Sequence, residues 1–204
     1  MKNSALIALA LSGAALLGYV SYRTLLPSAP PVPAAVPAAA PVQAAPAQTL
    51  PDFSLSTLSG TQQSILDWPG KALIINFWAT WCPPCLREIP LLKEFQAADA
   101  ERSIQVVGIA VDRLEPVRAF AEKMDFNYPL LIGQADAMDA AGAFGVDFFA
   151  LPFTVFTDTD GNVLGVHTGE LHGGDLENFA MAVAELRAGA IDLDGARARI
   201  DGRR

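Results

Sequence analysis

Only two cysteines occur in this 204-residue chain, and both stand in one stretch, NFWATWCPPCLREIP, as Cys82 and Cys85. Two thiols at this spacing can exchange electrons as a dithiol/disulfide pair, form half of a metal site, or pack as small apolar core residues. A metal site needs further soft or imidazole ligands. No third cysteine exists, and His167 and His172 lie more than eighty residues away, in a stretch that reads as a hairpin and its exit loop. A redox pair needs less: one thiol with a lowered pKa and a second within reach of it.

The flanking residues supply that arrangement. KALIINFW is a continuous apolar, β-prone run of the kind found in a strand buried on both faces, and it ends near Trp78. A helix is expected from about Cys82, because Leu86, Ile89, Leu92 and Phe95 fall near helical spacing. Cys82 then sits at a helix N-terminus, where unpaired backbone N–H groups stabilise a thiolate. That makes Cys82 the nucleophile and Cys85, one turn inward, the thiol that closes or resolves a disulfide. Pro83 and Pro84 suit a first helical turn, where the N–H that proline lacks would have no partner, and Pro90 is expected to kink the helix.

The elements that must hold this pair follow from the apolar pattern. PDFSLSTLSG reads as a short strand and turn, SIQVVGIAVD as a second buried strand, and EPVRAFAEKM as a helix, giving a β-α-β unit. Residues 134–144 form a weaker helix, and LPFTVFTDTDGNVLGVHTGEL divides at Asp160-Gly161 into a hairpin. Residues 175–187 read as a closing helix capped by Asp175. A parallel half followed by an antiparallel hairpin and a last helix implies an α/β fold with a mixed sheet flanked by helices. Asp158-Thr159-Asp160-Gly161 resembles the start of a calcium loop but lacks the later oxygen ligands, so it reads as a hairpin turn.

Outside this region the chain divides by composition. Residues 1–26 contain Lys2, Arg23 and the run SALIALALSGAALLGYVSY, whose roughly 28 Å length as a helix is close to the roughly 30 Å hydrocarbon core. A single-pass membrane anchor is expected, with the N-terminus on the cytoplasmic side and the domain on the exported, periplasmic side. The alternative is a signal cleaved near Ala38-Ala39-Ala40, leaving a soluble periplasmic protein. Residues 27–48 are a Pro/Ala-rich, uncharged linker. The folded domain is expected over 49–188, and the Asp- and Arg-rich tail over 189–204 is expected to fray. Beyond residue 48 there are 12 basic and 22 acidic side chains, net −10, a surface that repels phosphate backbones and excludes nucleic acid as a partner.

NFWATWCPPCLREIP, followed by ALPFTVFTDTDGNV, resembles the thioredoxin-like superfamily and specifically its membrane-anchored TlpA/ResA/CcmG-type (DsbE-like) thiol-disulfide oxidoreductases. The resemblance implies a thioredoxin-like three-layer α/β/α sandwich over about Leu50 to Arg187. It also implies Cys82 as the attacking thiol, Cys85 as the resolving thiol, and Trp81 as a packing and docking residue. Leu151-Pro152 matches the family's cis-proline step, which brings backbone polar groups beside the Cys82 sulfur to pair with an extended substrate segment. Phe153 departs from the small hydroxyl residue usual there, and a ring at the rim would favour apolar clients. Glu88 resembles the acid that ResA-like proteins hold beneath the cysteines, the alternative being a solvated helix-face carboxylate. Asn76 stands where ordinary thioredoxins carry an aspartate, which makes a buried Glu88 more attractive. Ala79 stands where peroxiredoxins carry threonine, which argues against peroxidase chemistry.

By the same resemblance, the expected activity is reduction of protein disulfides without a cofactor or metal. Clients would be apocytochrome c cysteines or copper-site assembly thiols, and a membrane electron donor would regenerate the dithiol. The alternatives are a disulfide oxidase or isomerase, and a copper-binding metallochaperone module.

Overall fold

The computed structural model describes residues 48–98, 103–145 and 151–202. The expected membrane segment and all of the linker but Gln48 lie outside the described residues. Among the described residues, no helix is long and apolar enough to cross a membrane.

Seven strands form one mixed sheet: β1 (Ser54–Thr57), β2 (Gln62–Ser64), β3 (Ala72–Trp78), β4 (Ile104–Val111), β5 (Leu130–Gly133), β6 (Phe153–Thr157) and β7 (Val163–Thr168). Their order is β2-β1-β5-β4-β3-β6-β7, with β3, β4 and β5 parallel and the remaining pairs antiparallel. Among the described residues the helices are α1 (Pro83–Ala98), α2 (Leu114–Met124), α3 (Ala135–Ala143), α4 (Gly173–Arg187) and α5 (Leu193–Ile200).

Strand alternation divides the apolar residues between two cores. Ala72, Ile74 and Trp78 of β3 face one side, under Ile89 and Leu92 of α1, Val117 of α2, and Leu176 and Phe179 of α4. Leu73, Ile75 and Phe77 face the other, under Ala137, Ala140 and Ala141 of α3. This is the three-layer thioredoxin-like arrangement. Each fully buried Ile or Phe contributes roughly 1.5–3 kcal/mol, so the central strands fix the sheet firmly.

Three elements differ from the expectations. The polar strand β2 pairs with β1 in register Ser54 to Ser64. The closing helix begins earlier than expected, after His172, and Asp175 receives the His172 backbone N–H at 2.8 Å from inside the first turn. The tail after Gly189 does not fray but forms α5. Its cap is Asp192, whose Oδ1 accepts from Gly195 N at 2.8 Å, and Ala196 is buried against the domain. Arg197 Nε donates to the Val163 carbonyl of β7 at 3.2 Å, and Arg199 pairs with Glu185 at 2.6 Å. Gly165 permits this approach, since a Cβ there would lie 2.6 Å from Ile200 Cγ2.

Candidate active site

The parallel strand β3 delivers the chain to the end of the sheet from which α1 returns. Cys82 N donates to Ala79 O at 3.2 Å, and α1 begins at Pro83, so the two prolines occupy its first two positions. Cys82 and Cys85 form a disulfide with Cα atoms 5.3 Å apart, and the Cys85 N–H donates to Cys82 Sγ at 3.4 Å. In the disulfide this N–H is directed at the Cys82 sulfur, the side from which a helix N-terminus favours negative charge. Cys82 keeps a sliver of accessible surface, whereas Cys85 has none. Beside them Trp81 is 64% exposed, an unusual state for so large an apolar ring. The loop is tied to the neighbouring strand, because the Thr80 backbone N–H donates to Asp112 Oδ2 at 3.2 Å and the Thr80 hydroxyl donates to the same oxygen.

Glu88 is not on a solvated face. It is 1% exposed, on the side of α1 that packs against the sheet. Its Oε1 accepts from Asn76 Nδ2 at 2.8 Å, and its Oε2 accepts from the Leu171 backbone N–H at 2.6 Å. Burial pushes the carboxyl up to about 7, against the opposing pull of those two donors. Asn76 Nδ2 also donates to Thr154 Oγ1 at 3.0 Å, as the register of β3 on β6 sets Asn76 opposite Thr154. The loop carrying Leu171 is held on α1 a second time, by Arg87 Nε donating to Glu170 Oε2 at 3.0 Å and Arg87 to Glu170 Oε2 again through Nη2.

Leu151-Pro152 is a cis peptide bond. Phe77 pairs with Phe153, so Pro152 stands level with the end of β3 that leads into the cysteine loop. The Pro152 carbonyl accepts from Gly169 N at 2.9 Å, and Leu151 packs partly buried against the core that contains both cysteines. Phe153 is not at the rim. It is 0% exposed and stacks on Phe77 with ring centroids 4.3 Å apart, in the core on the opposite face of the sheet. Strand alternation is the cause: Thr154 points to the cysteine side, so Phe153 must point away. No ring is offered to a client there.

The structure therefore brings Asn76, Glu88 and the cysteine helix together as the sequence suggested, and adds Thr154, Leu171, Glu170 and Asp112. Thr154 carried a signal, being a polar residue in an apolar strand opposite another one. Leu171 carried none, since only its backbone takes part. His167 lies 4.0 Å from Asp175, and His172 is largely exposed. Asp158 accepts from Asp160 N and Asn162 N, which makes the Asp-rich segment a hairpin turn. Among the described residues, no group of three or more His, Cys, Asp or Glu side chains could hold a metal ion.

The Redoxin family model matches residues 45–183 of this chain. The thioredoxin-like protein YneN of Bacillus subtilis is 36% identical over 134 residues, covering 64% of this chain and 75% of that protein. The thiol-disulfide oxidoreductase ResA of Geobacillus thermodenitrificans is 33% identical over 138 residues, covering 66% and 76%. Among solved structures, a thioredoxin-family thiol:disulfide interchange protein from Chlorobium tepidum matches with a TM-score of 0.60 at 33% identity, covering 69% of this chain and 97% of that one. With a cysteine pair at a helix N-terminus, a cis-proline step and a buried acid on that same helix, the chain belongs to the Redoxin family and is a thioredoxin-like thiol-disulfide oxidoreductase of the ResA type.

Proposed function

We propose that the protein is an exported, membrane-tethered reductase of protein disulfides. The observation that carries the proposal is Glu88: a carboxyl buried one helical turn from Cys85 and held by Asn76 and Leu171 is suited to move a proton near neutral pH. In the reduced protein the Cys82 thiolate attacks one sulfur of a client disulfide. A Cys82–client bond forms, the client S–S bond breaks, and the departing client thiolate takes a proton from solvent. Glu88 accepts the Cys85 proton, and the Cys85 thiolate attacks Cys82 Sγ. The mixed disulfide breaks as the Cys82–Cys85 bond forms, and the second client thiolate leaves. Two electrons have passed to the client. A thiol-reducing membrane donor returns them, and the proton on Glu88 goes back to Cys85.

Trp81, Leu151 and Pro152 form the client-facing rim, with the backbone at Leu151 and Pro152 pairing with an extended client segment. Phe153 contributes its main chain only. The clients are thiol-bearing assembly intermediates, either apocytochrome c or copper-site assembly proteins. Equilibration with glutathione buffers tests the direction. A reductase stays oxidised at the glutathione poise of an oxidising compartment, whereas a pair that remains reduced there would identify an oxidase or isomerase. Copper bound by the reduced domain at sub-micromolar metal would replace this function with metal transfer.

A further inference from the structure

Asn76 is fully buried, yet its amide is half used. Nδ2 donates to Glu88 Oε1 and to Thr154 Oγ1, while Oδ1 has no hydrogen-bond partner among the described residues. This orientation suits an ionised Glu88, which can only accept. A protonated Glu88 is a different object. The Leu171 backbone N–H points at Oε2 and cannot reverse, and the carbonyl oxygen of the acid is its better acceptor, which favours the proton on Oε1, the oxygen that faces Asn76. An Oε1–H directed at an N–H donor leaves two donors opposed between two buried side chains, an arrangement of high cost.

The amide can remove that conflict without moving the backbone. A half-turn about χ2 exchanges Oδ1 and Nδ2, so that Oδ1 accepts from Glu88 Oε1–H. Thr154, whose hydroxyl both donates and accepts, then reverses from acceptor to donor. In either orientation one end of the amide remains unpaired, so the two differ little in that respect, and the proton on Glu88 decides between them. We propose that Asn76 is a reversible positioning residue, donating to the Glu88 carboxylate when it is ionised and accepting from its hydroxyl when it is protonated, with Thr154 following. An aspartate at this position, acceptor-only when ionised, would oppose the charge on Glu88 instead of serving both of its states.

The groups facing Glu88 are few. Asn76 comes from β3, Thr154 lies behind it on β6, and Tyr128 approaches from the segment before β5. The loop before α4 supplies Leu171 N–H, together with Glu170, which raises the Glu88 pKa, and His172, which lowers it. On its own helix, Arg87 is engaged by Glu170.

The proposal's relevance to thiol chemistry rests on the proton-transfer role given to Glu88 above, so its test uses the oxidised full-length protein, in which no cysteine titrates. Protein labelled with 13C at glutamate carboxyls and 15N at asparagine is followed in detergent solution from pH 5 to 9. The Asn76 side-chain amide signals should shift with the same midpoint as the Glu88 carboxyl. The nuclear Overhauser contact from the Asn76 amide protons to Thr154 should fall severalfold on the acid side. A contact that stays constant while Glu88 titrates would make Asn76 a fixed donor and overturn the proposal. Asn76→Leu should raise the Glu88 midpoint by roughly one pH unit, the loss of one charge-assisted hydrogen bond less the weaker bond lost from the neutral state. An unmoved midpoint would also overturn it. His172→Gln should leave the transition in place, and its disappearance would assign the transition to the imidazole and defeat the proposal. The separate role of Glu88 in thiol reactivity stands or falls on alkylation of the reduced protein.

Discussion

The two faces of the central sheet are built from the same strands and do opposite things. At the level of Phe77 and Phe153, the face toward α3 is a pair of stacked rings in an apolar core. One residue away in sequence, the face toward α1 carries Asn76, Thr154 and Glu88, all buried, and Asn76 Oδ1 and Trp78 Nε1 of β3 have no hydrogen-bond partner among the described residues. A polar chain of this kind stabilises less than the rings it displaces, because burial penalises a carboxyl whose hydrogen bonds only partly compensate. Both faces bury an apolar core, but only the face toward α1 gives up part of that stabilisation to hold a buried carboxyl beneath the disulfide.

The largest expected effect lies on the cysteine face and should leave the other untouched. Cys82→Ser should abolish disulfide reduction and trap almost no client. Cys85→Ser should accumulate mixed disulfides with clients on non-reducing gels, because the internal resolving thiol is gone. Equal trapping by the two variants would remove the asymmetry drawn from the helix N-terminus.

Next is the ring face. Phe153→Ala should destabilise the domain by about 3–5 kcal/mol in urea unfolding, the usual cost of emptying a packed aromatic site. The pH profile of Cys82 alkylation in the folded protein should not change, and a moved profile would mean that the two faces are coupled.

Glu88→Gln should do the reverse, with an effect of lesser size. The folded-state pKa of Glu88 is raised from 4.5 to about 7, so between those values the folded protein keeps a proton that the unfolded chain has released. Its contribution is complete below about pH 4.5, is lost as pH rises through about 7, and amounts to about 3 kcal/mol. The wild-type unfolding free energy, compared with that of Glu88→Gln, should decline over that window and stay level above it. Alkylation of the thiols should lose its component near neutral pH in the same variant. Smallest of all, Arg87→Ala removes an exposed ion pair with Glu170, and any change in melting temperature should vanish at about 1 M salt, where such pairs are screened.

The cysteine side of the molecule was legible in the sequence where chemistry and pattern coincide. KALIINFW announces a doubly buried strand, and Cys-Pro-Pro-Cys after it announces a helix N-terminus, because both signals are local. Glu88 could be placed on the helix, but its spacing left a buried acid and a solvated one both open, since its partner Leu171 is 83 residues away and contributes only a backbone N–H. Phe153 lies away from the rim because β6 pairs Thr154 with Asn76 on the cysteine face, which turns its neighbour to the other face, and that pairing is not local in the sequence. β2 was invisible for another reason: Gln62–Ser64 is three residues long, polar, and held by backbone pairing to β1. In α5, Asp, Arg and Gly mask a short stripe of Ala196 and Ile200 whose meaning appears only once β7 lies beneath it.

That last helix bears on how the protein behaves in a crowd of its own copies. A sheet exposes unpaired N–H and C=O groups along its outer strands, and these recruit strands from other chains. At one border the outer strand β2 is only three residues long, too short a template to extend. At the other, β7 is six residues long, and the chain occupies both outward groups of its first residue: Gln48 O accepts from Val163 N, and Arg197 of α5 donates to Val163 O. Gly165 is the notch that lets Ile200 settle against the strand. A bulkier residue at 165 would push α5 off β7, loosening the packing of Ala196 and uncovering that border, so Gly165→Val should show self-association in light scattering while the folded protein keeps its redox chemistry.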